Sequence, residues 1–316
     1  FNIFDIQDIS SSYAHPLVLL FLGGFIIASA MESCGLHKRI AINILSFSGT
    51  SPAMIIAGFM ITTALISMWV SNTASTIMML PIATSVIAIF SSQKQSKEND
   101  LTIPLLLAIA YSASIGGIAT LIGTPTNVML ASILSDNYNY NIGFFDWFKI
   151  GFPITLILLP VVWFFLTNII FKLSKNKSNT LQVTISDLKK DIGKSSFAEK
   201  IVAIVFLLTA LLWILRRFIN NNFDLNINDT SIGLFGALLL FIIPIKKNKR
   251  ACSWETASKI PWGVLLLVGG GIALSKAFNI TGLADWIASF SSFFDGYNIF
   301  LLIIIFVTLI IFLTEL

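Results

Sequence analysis

The sequence predicts an all-α polytopic membrane protein, and three observations support that class. Of the 316 residues, 56% are apolar and 11% are charged, with a mean hydropathy of +0.86, whereas soluble domains carry about 25% charged residues. Apolar runs recur along the whole chain at roughly the 20 residues that a helix needs to cross a bilayer. Lys and Arg lie between these runs, where they set membrane orientation rather than bind nucleic acid. A single large soluble core is therefore excluded.

The apolar runs define the candidate membrane segments, which are 14–33, 53–90, 101–134, 150–171, 200–215, 231–245, 261–279 and 297–316. Polar or glycine-rich residues interrupt the second and the third of these segments. The chain begins at Phe1 rather than Met and stops at Leu316 inside the last apolar run. We therefore expect it to be a fragment of a longer protein.

The distribution of basic residues predicts the orientation of the segments. Connectors 34–52, 91–100, 172–200 and 246–260 hold 16 of the 20 Lys and Arg residues, so the positive-inside rule makes them cytoplasmic. The longest of them, 172–200, is polar with scattered apolar residues. We expect it to form an amphipathic connector on the membrane surface, with a disordered loop as the alternative.

Segment 53–90 starts and ends on the predicted cytoplasmic side, so it either crosses the membrane twice or forms a re-entrant hairpin. Its uninterrupted apolar parts, Ala53–Ile61 and Ile77–Phe90, are shorter than the roughly 20 residues of a usual span. A turn exposed outside the membrane would also be expected to carry Gly, Asp or Lys, which this one lacks. We therefore favour a cytoplasmic re-entrant hairpin.

The middle of that segment, "SMWVSNTASTIMMLP" at Ser67–Pro81, is polar but carries no charge. An unpaired hydroxyl or amide in hydrocarbon costs roughly 1–3 kcal/mol, so each of these groups needs a partner. The usual partner of a membrane Ser or Thr is the carbonyl one turn earlier, which we expect for Thr62, Thr63, Ser75 and Thr76. Asn favours turns and helix ends, so we expect Asn72 to mark a helix break at 71–73.

A broken helix at this place offers groups for both signs of charge. The helix from Pro52 would end in free carbonyls, and the next helix would begin with free N–H groups. Hydroxyl, amide and carbonyl oxygens at Ser67, Ser71 and Asn72 suit a small cation such as Na⁺. The N–H groups at Asn72–Ala74, together with the Thr73 hydroxyl, suit a carboxylate. A bound cation would lower the cost of the neighbouring anion.

A second interruption lies at Ser114–Asn127, "SIGGIATLIGTPTN". Its glycines loosen the helix, and Pro125 removes a donor and pushes Thr124 towards an extended conformation. We expect an unwound segment here rather than the mild kink that is the ordinary effect of Pro. Irregular backbone at this depth requires protein or a water-filled cavity to satisfy it.

The chain also contains a repeat at an offset of 247 residues. The matches are Gly23-Gly24 with Gly270-Gly271, Ala30 with Ala277, and Gly35-Leu36 with Gly282-Leu283. The charge bias gives the two copies opposite orientations, which is the inverted repeat of many secondary transporters; chance similarity of two Leu- and Gly-rich helices is the alternative. We predict a first repeat at 1–171 and a second, truncated repeat at 201–316, in which Ser67 corresponds to Thr314.

Two other classes of function are disfavoured by missing residue types. A proton exchanger should carry an acidic residue near its ion site, and no Asp or Glu occurs in 40–97. An intramembrane hydrolase needs a base beside a nucleophile, and His15 and His37 stand at predicted helix ends without a ligand-spaced partner. We therefore do not expect an enzyme.

Four stretches resemble the family of divalent anion/sodium symporters, and the likeness covers essentially the whole chain. They are "HPLVLLFLGGFIIASAMESCGLHKRIA", "SMWVSNTASTIMMLP", "IGGIATLIGTPTN" and "PWGVLLLVGGGIALSKAFNITGLADWI". The resemblance implies an elevator-type secondary transporter with re-entrant hairpins and broken helices, forming a homodimer in the plasma membrane. Its expected activity is sodium-coupled transport of a C4-dicarboxylate such as succinate or malate. Transport of citrate, sulfate or another oxyanion, or sodium/proton exchange, are the alternatives.

The resemblance also implies roles for individual residues. The expected ligands of a first Na⁺ are Ser67, Ser71, Asn72 and Gly123, and Thr314 is expected at a second Na⁺. The expected substrate-binding residues are Asn72, Thr73 and Thr124. The partner of Thr314 in the second half of the substrate site would lie beyond Leu316.

Overall fold

The computed structural model describes residues 5–49, 51–92, 101–173, 187, 189–246, 249–289 and 297–314. The first helices are α1 (Ile6–Tyr13), α2 (Pro16–Ser33), α3 (Leu36–Phe47), α4 (Pro52–Ser67), α5 (Asn72–Ser92), α6 (Thr102–Ile118), α7 (Pro125–Tyr138) and α8 (Phe144–Phe164), which continues as a π-helix at Phe165–Ile170. They are followed by α9 (Phe197–Phe223), α10 (Asp229–Ile242), the short strands β1 (Pro244–Lys246) and β2 (Lys249–Arg250), α11 (Trp254–Ala257), α12 (Trp262–Ile280), α13 (Leu283–Ser289) and α14 (Ile299–Thr314).

The helices have the length and composition of a membrane protein. Four helical runs among the described residues can span a bilayer, namely Ile9–Ser33, Phe144–Ile170, Phe197–Phe223 and Trp262–Ile280. Other apolar helices are shorter, including α4 and α6. Large apolar side chains are exposed along α8 and α9, as expected where lipid rather than water surrounds a helix. The predicted all-α polytopic class is confirmed.

Both predicted breaks are present, and the first is displaced. α4 ends at Ser67 and α5 begins at Asn72, so the break occupies 68–71 rather than 71–73. The reason is Ser71, which acts as the cap of α5: its hydroxyl accepts the Ala74 N–H at 3.3 Å and its carbonyl accepts the Ser75 N–H at 2.9 Å. Asn72 is therefore the first residue of a helix and not part of the turn.

The second break occupies 119–124, between α6 and α7. Thr124 is extended, with φ −146° and ψ 146°, and Pro125 is the first residue of α7, as the sequence predicts. Gly116 and Gly117 do not loosen the chain, because both lie inside α6. Instead they allow close packing: a Cβ at Gly116 would overlap the backbone of Ala64 in α4.

The buried side chains form two clusters on either side of the first break. One cluster joins α2, α9, α10 and α12, and the other joins α4, α5 and α6. Trp69, in the break between α4 and α5, packs against both clusters. The break is therefore held in a packed environment rather than in solvent.

Helix boundaries follow the 247-residue offset found in the sequence. Shifted by that offset, α2 falls at 263–280, close to the observed α12, and the start of α4 falls at 299, where α14 begins. Gly35 and Gly282, which follow α2 and α12, both have left-handed backbone conformations, with φ of 79° and 70°. These coincidences support a repeat, while the opposite orientation of its copies stays a prediction.

The end of the predicted connector 172–200 is bound to α3. The Arg39 guanidinium forms an ion pair with Glu199 and donates to the carbonyls of Gly193 and Ile192 at 2.9 and 3.3 Å. Residues 174–186 and 188 of the connector lie outside the described residues, so its amphipathic character stays a prediction.

Candidate functional site

The two helix breaks meet at one place, and glycine makes the approach possible. A Cβ on Gly117 of α6 would overlap the side-chain amide of Asn72, the first residue of α5. A Cβ on Gly123 would overlap the carbonyl and Cα of Gly117. Asn72, Gly117 and Gly123 are therefore in direct contact, which brings predicted sodium ligands from both breaks together.

Three oxygen atoms converge at the end of α4. The fully buried Ser67 hydroxyl lies 2.8 Å from Asn72 Oδ1 and 2.7 Å from the carbonyl oxygen of Ala113 in α6. A hydroxyl has one proton, and neither acceptor carries another. The cluster is thus rich in lone pairs and poor in protons, and neutral oxygens of this kind suit a small hard cation.

The carbonyls of the breaks are only partly free. The Ile66 carbonyl accepts the N–H groups of both Trp69 and Val70 at 3.0 Å, and the Met68 carbonyl accepts the hydroxyl of Thr120. The prediction that α4 ends in free carbonyls is therefore wrong for these two groups, because the turn and the second break supply donors. Within the described part of the chain, the buried Gly123 carbonyl has no donor.

The start of α5 offers hydrogen-bond donors. Its third N–H, on Ala74, is capped by Ser71, whereas the N–H groups of Asn72 and Thr73 meet no acceptor in the described ranges. Such free N–H groups at a helix N-terminus attract anions. The side chain of Thr73 is exposed and has no partner among the described hydrogen bonds.

Thr124 and Thr73 lie at the starts of the helices that follow the two breaks, Thr124 as the cap of α7 and Thr73 as the second residue of α5. Thr124 directly follows Gly123, and Thr73 directly follows Asn72, so both lie beside the contact between the two breaks. The half-buried Thr124 has its hydroxyl 3.4 Å from that of Thr126. The part of these two threonines in binding a substrate stays a prediction.

Three residues of this arrangement were not among the predicted site residues. Asn127, on the first turn of α7, donates its amide to the carbonyls of Gly117 and Thr120 at 2.9 and 2.8 Å. The Thr120 hydroxyl bridges to the other break at Met68. Both are polar residues beside a proline-containing break, a signal that could have identified them. Ala113 contributes only its carbonyl oxygen, for which a sequence carries no signal.

Of the four other hydroxyls that were expected to bond to a carbonyl one turn earlier, two do so. Thr63 donates to the Phe59 carbonyl at 2.7 Å and Thr76 to the Asn72 carbonyl at 2.9 Å. For Thr62 and Ser75 the prediction is wrong, because both hydroxyls are buried and have no partner in the described structure. Burial between packed helices has removed water as a partner without supplying another group.

Other cation sites and reactive groups are scarce in the described residues. Among the described residues, no group of three or more His, Cys, Asp or Glu side chains could hold a metal ion. Cys34 and Cys252 are free, and burial raises the pKa of the Cys252 thiol to about 11, which keeps it protonated at neutral pH. The side chain of Thr314 lies outside the described structure, so its role at a second Na⁺ stays a prediction.

Comparisons with known proteins identify the family of the chain. The family model described as "Citrate transporter" matches residues 1–316. The chain is 38% identical over 319 residues to the sodium-dependent dicarboxylate transporter SdcS of Staphylococcus saprophyticus. This match covers 98% of the chain and 62% of that relative. It is 37% identical over 308 residues to SdcS of Staphylococcus aureus strain USA300, covering 94% of the chain and 59% of the relative. The chain thus spans about three fifths of the length of these curated relatives.

Proposed function

The chain belongs to the citrate transporter family and is a multi-pass protein of the plasma membrane, and from that premise we propose sodium-coupled transport of a C4-dicarboxylate such as succinate or malate. The observation that carries the proposal is the oxygen cluster of Ser67, Asn72 and Ala113 beside the free N-terminus of α5. The SdcS relatives are sodium-dependent dicarboxylate transporters, which supports the same ion and the same substrate class.

Sodium is the first cargo in this proposal. Ser67 Oγ and Asn72 Oδ1 would bind it together with the Gly123 carbonyl, and the Ala113 carbonyl lies within reach of Ser67. Binding of a cation resolves the shortage of protons in the cluster, because lone pairs then face a positive charge instead of each other. Ser71 contributes to the same turn as the cap of α5. Thr314 is proposed at a second Na⁺.

The carboxylate of the substrate is the second cargo. It would accept the N–H groups of Asn72 and Thr73 and the hydroxyls of Thr73 and Thr124. A cation and an anion about 4 Å apart attract each other by about 4 kcal/mol at an effective dielectric constant near 20. Since Asn72 serves both ligands, sodium bound first raises the affinity for the dicarboxylate.

We further propose that α4 and α5 form a cytoplasmic re-entrant hairpin. α4 has 16 residues, which is about 24 Å at 1.5 Å per residue and shorter than the ~30 Å hydrocarbon core. The apolar part of α5, Asn72–Ala88, is likewise among the shorter apolar helices. This geometry supports inverted repeats, as do the matching helix starts at the 247-residue offset. An elevator movement and a homodimer are proposed on the family resemblance.

The direct test is uptake of labelled succinate by the complete protein in proteoliposomes. An inward sodium gradient should drive uptake, and choline in place of sodium should abolish it. Ser67→Ala removes an oxygen of the cluster and should raise the half-saturating sodium concentration about tenfold or more, for a loss of about 1.4 kcal/mol or more. Ser112→Ala is the matched control, because the buried Ser112 hydroxyl bonds only to its own helix, at Ala108 and Ile109. Equal uptake in choline would refute the coupling.

Citrate is the second candidate substrate, because the matching family model is described as a citrate transporter. Competition separates the two candidates. Excess unlabelled succinate or malate should suppress the sodium-driven uptake of labelled succinate, and citrate should suppress it weakly. If citrate competes better than succinate, the C4-dicarboxylate assignment is wrong while the sodium coupling stands.

A further inference from the structure

Trp69 fixes the turn between α4 and α5 to an aromatic cluster on two other helices. Its ring stacks against Phe144 of α8 with centroids 5.9 Å apart, and it meets Phe206 of α9 edge-on at 4.7 Å. Trp213 of α9 lies parallel to it at 6.4 Å and stacks on Phe144 at 4.4 Å. Aromatic pairs of this geometry stabilise each other beyond the effect of the area they bury. Trp69 stands two residues before Ser71 and three before Asn72.

Asp229, the first residue of α10, holds two of these rings in place. Its carboxylate oxygen Oδ2 accepts the backbone N–H of Phe144 at 2.8 Å, and its backbone carbonyl accepts the indole N–H of Trp213 at 2.9 Å. Arg216 pairs with the same carboxylate oxygen at 3.1 Å. Asp229 is buried, and its other carboxylate oxygen has no hydrogen-bond partner in the described structure. A buried charge with few partners depends strongly on those it has.

We propose that Asp229 is a positioning residue for the ion-binding turn and acts on it through Phe144, Trp213 and Trp69. The proposal rests on the proposed function, because it concerns the affinity of the same turn for sodium. The Ser67 and Asn72 oxygens bind a cation only when the four-residue turn between them holds its shape. When the rings around Trp69 pack less tightly, the turn samples more conformations. Sodium must then order the turn as it binds, and this lowers the affinity for sodium.

The test measures the half-saturating sodium concentration for succinate uptake by the complete protein, together with the melting temperature in detergent without sodium. The variants are Asp229→Asn, Trp69→Leu and the two combined, with Trp69→Phe as the conservative replacement that should restore the affinity. Asp187→Asn is the matched control for the loss of a carboxylate, because Asp187 is exposed and pairs with Lys190 in the connector before α9. Trp163→Leu is the matched tryptophan control, since its indole bonds to Ala53 near the start of α4.

Each single variant should raise the half-saturating sodium concentration about fivefold, which corresponds to about 1 kcal/mol. The combined variant should also lie near fivefold, because both changes release the same turn. The two controls should stay within about twofold of the parent. Trp69→Phe should recover most of the affinity.

Three outcomes would overturn the proposal. The first is a combined effect near the product of the two single effects, which would make the residues independent. The second is a lower melting temperature and maximal rate with an unchanged sodium requirement in Asp229→Asn, which would make Asp229 merely structural. The third is a parent protein whose uptake does not depend on sodium. That last result refutes the proposed function itself and is recognised before any variant is measured.

Discussion

The two helix breaks perform different tasks with different kinds of residue. The α4–α5 break provides side-chain oxygen atoms, on Ser67, Ser71 and Asn72. The α6–α7 break allows close approach, since Gly117 lies against the Asn72 side chain and Gly123 against the backbone of Gly117. Asn127 donates to the carbonyls of Gly117 and Thr120 at this break. A site for a small ion needs both, because oxygens attract the ion only when packing holds them at the right spacing.

The largest effect should follow from filling the contact between the breaks. Gly117→Ala places a methyl group on the Asn72 amide, and overpacking of this kind costs about 1–3 kcal/mol. We expect sodium-dependent uptake to fall below a tenth of the parent rate, because Asn72 must move. Gly263→Ala is the matched control, since a Cβ there meets nothing within 4 Å. Full activity in Gly117→Ala would contradict the close approach.

The next effect separates stability from ion binding. Asn127→Ala leaves the carbonyls of Gly117 and Thr120 without their amide donor, and buried unsatisfied groups cost about 1–3 kcal/mol each. We expect a melting temperature several degrees lower in detergent. Asn222→Ala should have little effect, because Asn222 is exposed and its amide bonds to the Phe218 carbonyl of its own helix at 2.8 Å. Equal melting temperatures for the two variants would show that the Asn127 amide does not stabilise the site.

The smallest effect should distinguish the substrate from the ion. Thr73→Ala and Thr124→Ala each remove one exposed or half-buried hydroxyl at the start of a helix. Each should raise the half-saturating succinate concentration about threefold to tenfold and leave the sodium requirement near the parent value. Thr281→Ala, whose hydroxyl bonds to the Ala277 carbonyl of its own helix, serves as the control. A change in the sodium requirement alone would assign these hydroxyls to the cation.

The predictions from sequence succeeded where a property is local. Apolar length located the helices, and Pro125 predicted the extended Thr124 because a proline restricts the residue before it. Local reasoning erred at Asn72, where the capping oxygens of Ser71 start the helix earlier than the turn preference of Asn suggests. It also erred at Thr62 and Ser75, because a hydroxyl's rotamer depends on the helix packed against it.

The sequence by itself determined that this chain lies in a membrane, where its helices break, and which hydroxyls and amides stand at the breaks. These properties follow from hydropathy, backbone restriction and residue type, which act over a few neighbouring residues. Only the tertiary structure decided that Ala113 reaches Ser67, that Gly117 reaches Asn72, and that Asp229 contacts Phe144 and Trp213 beside Trp69. Such contacts join residues tens of positions or more apart, and the packing of whole helices, rather than any local preference, sets their distances.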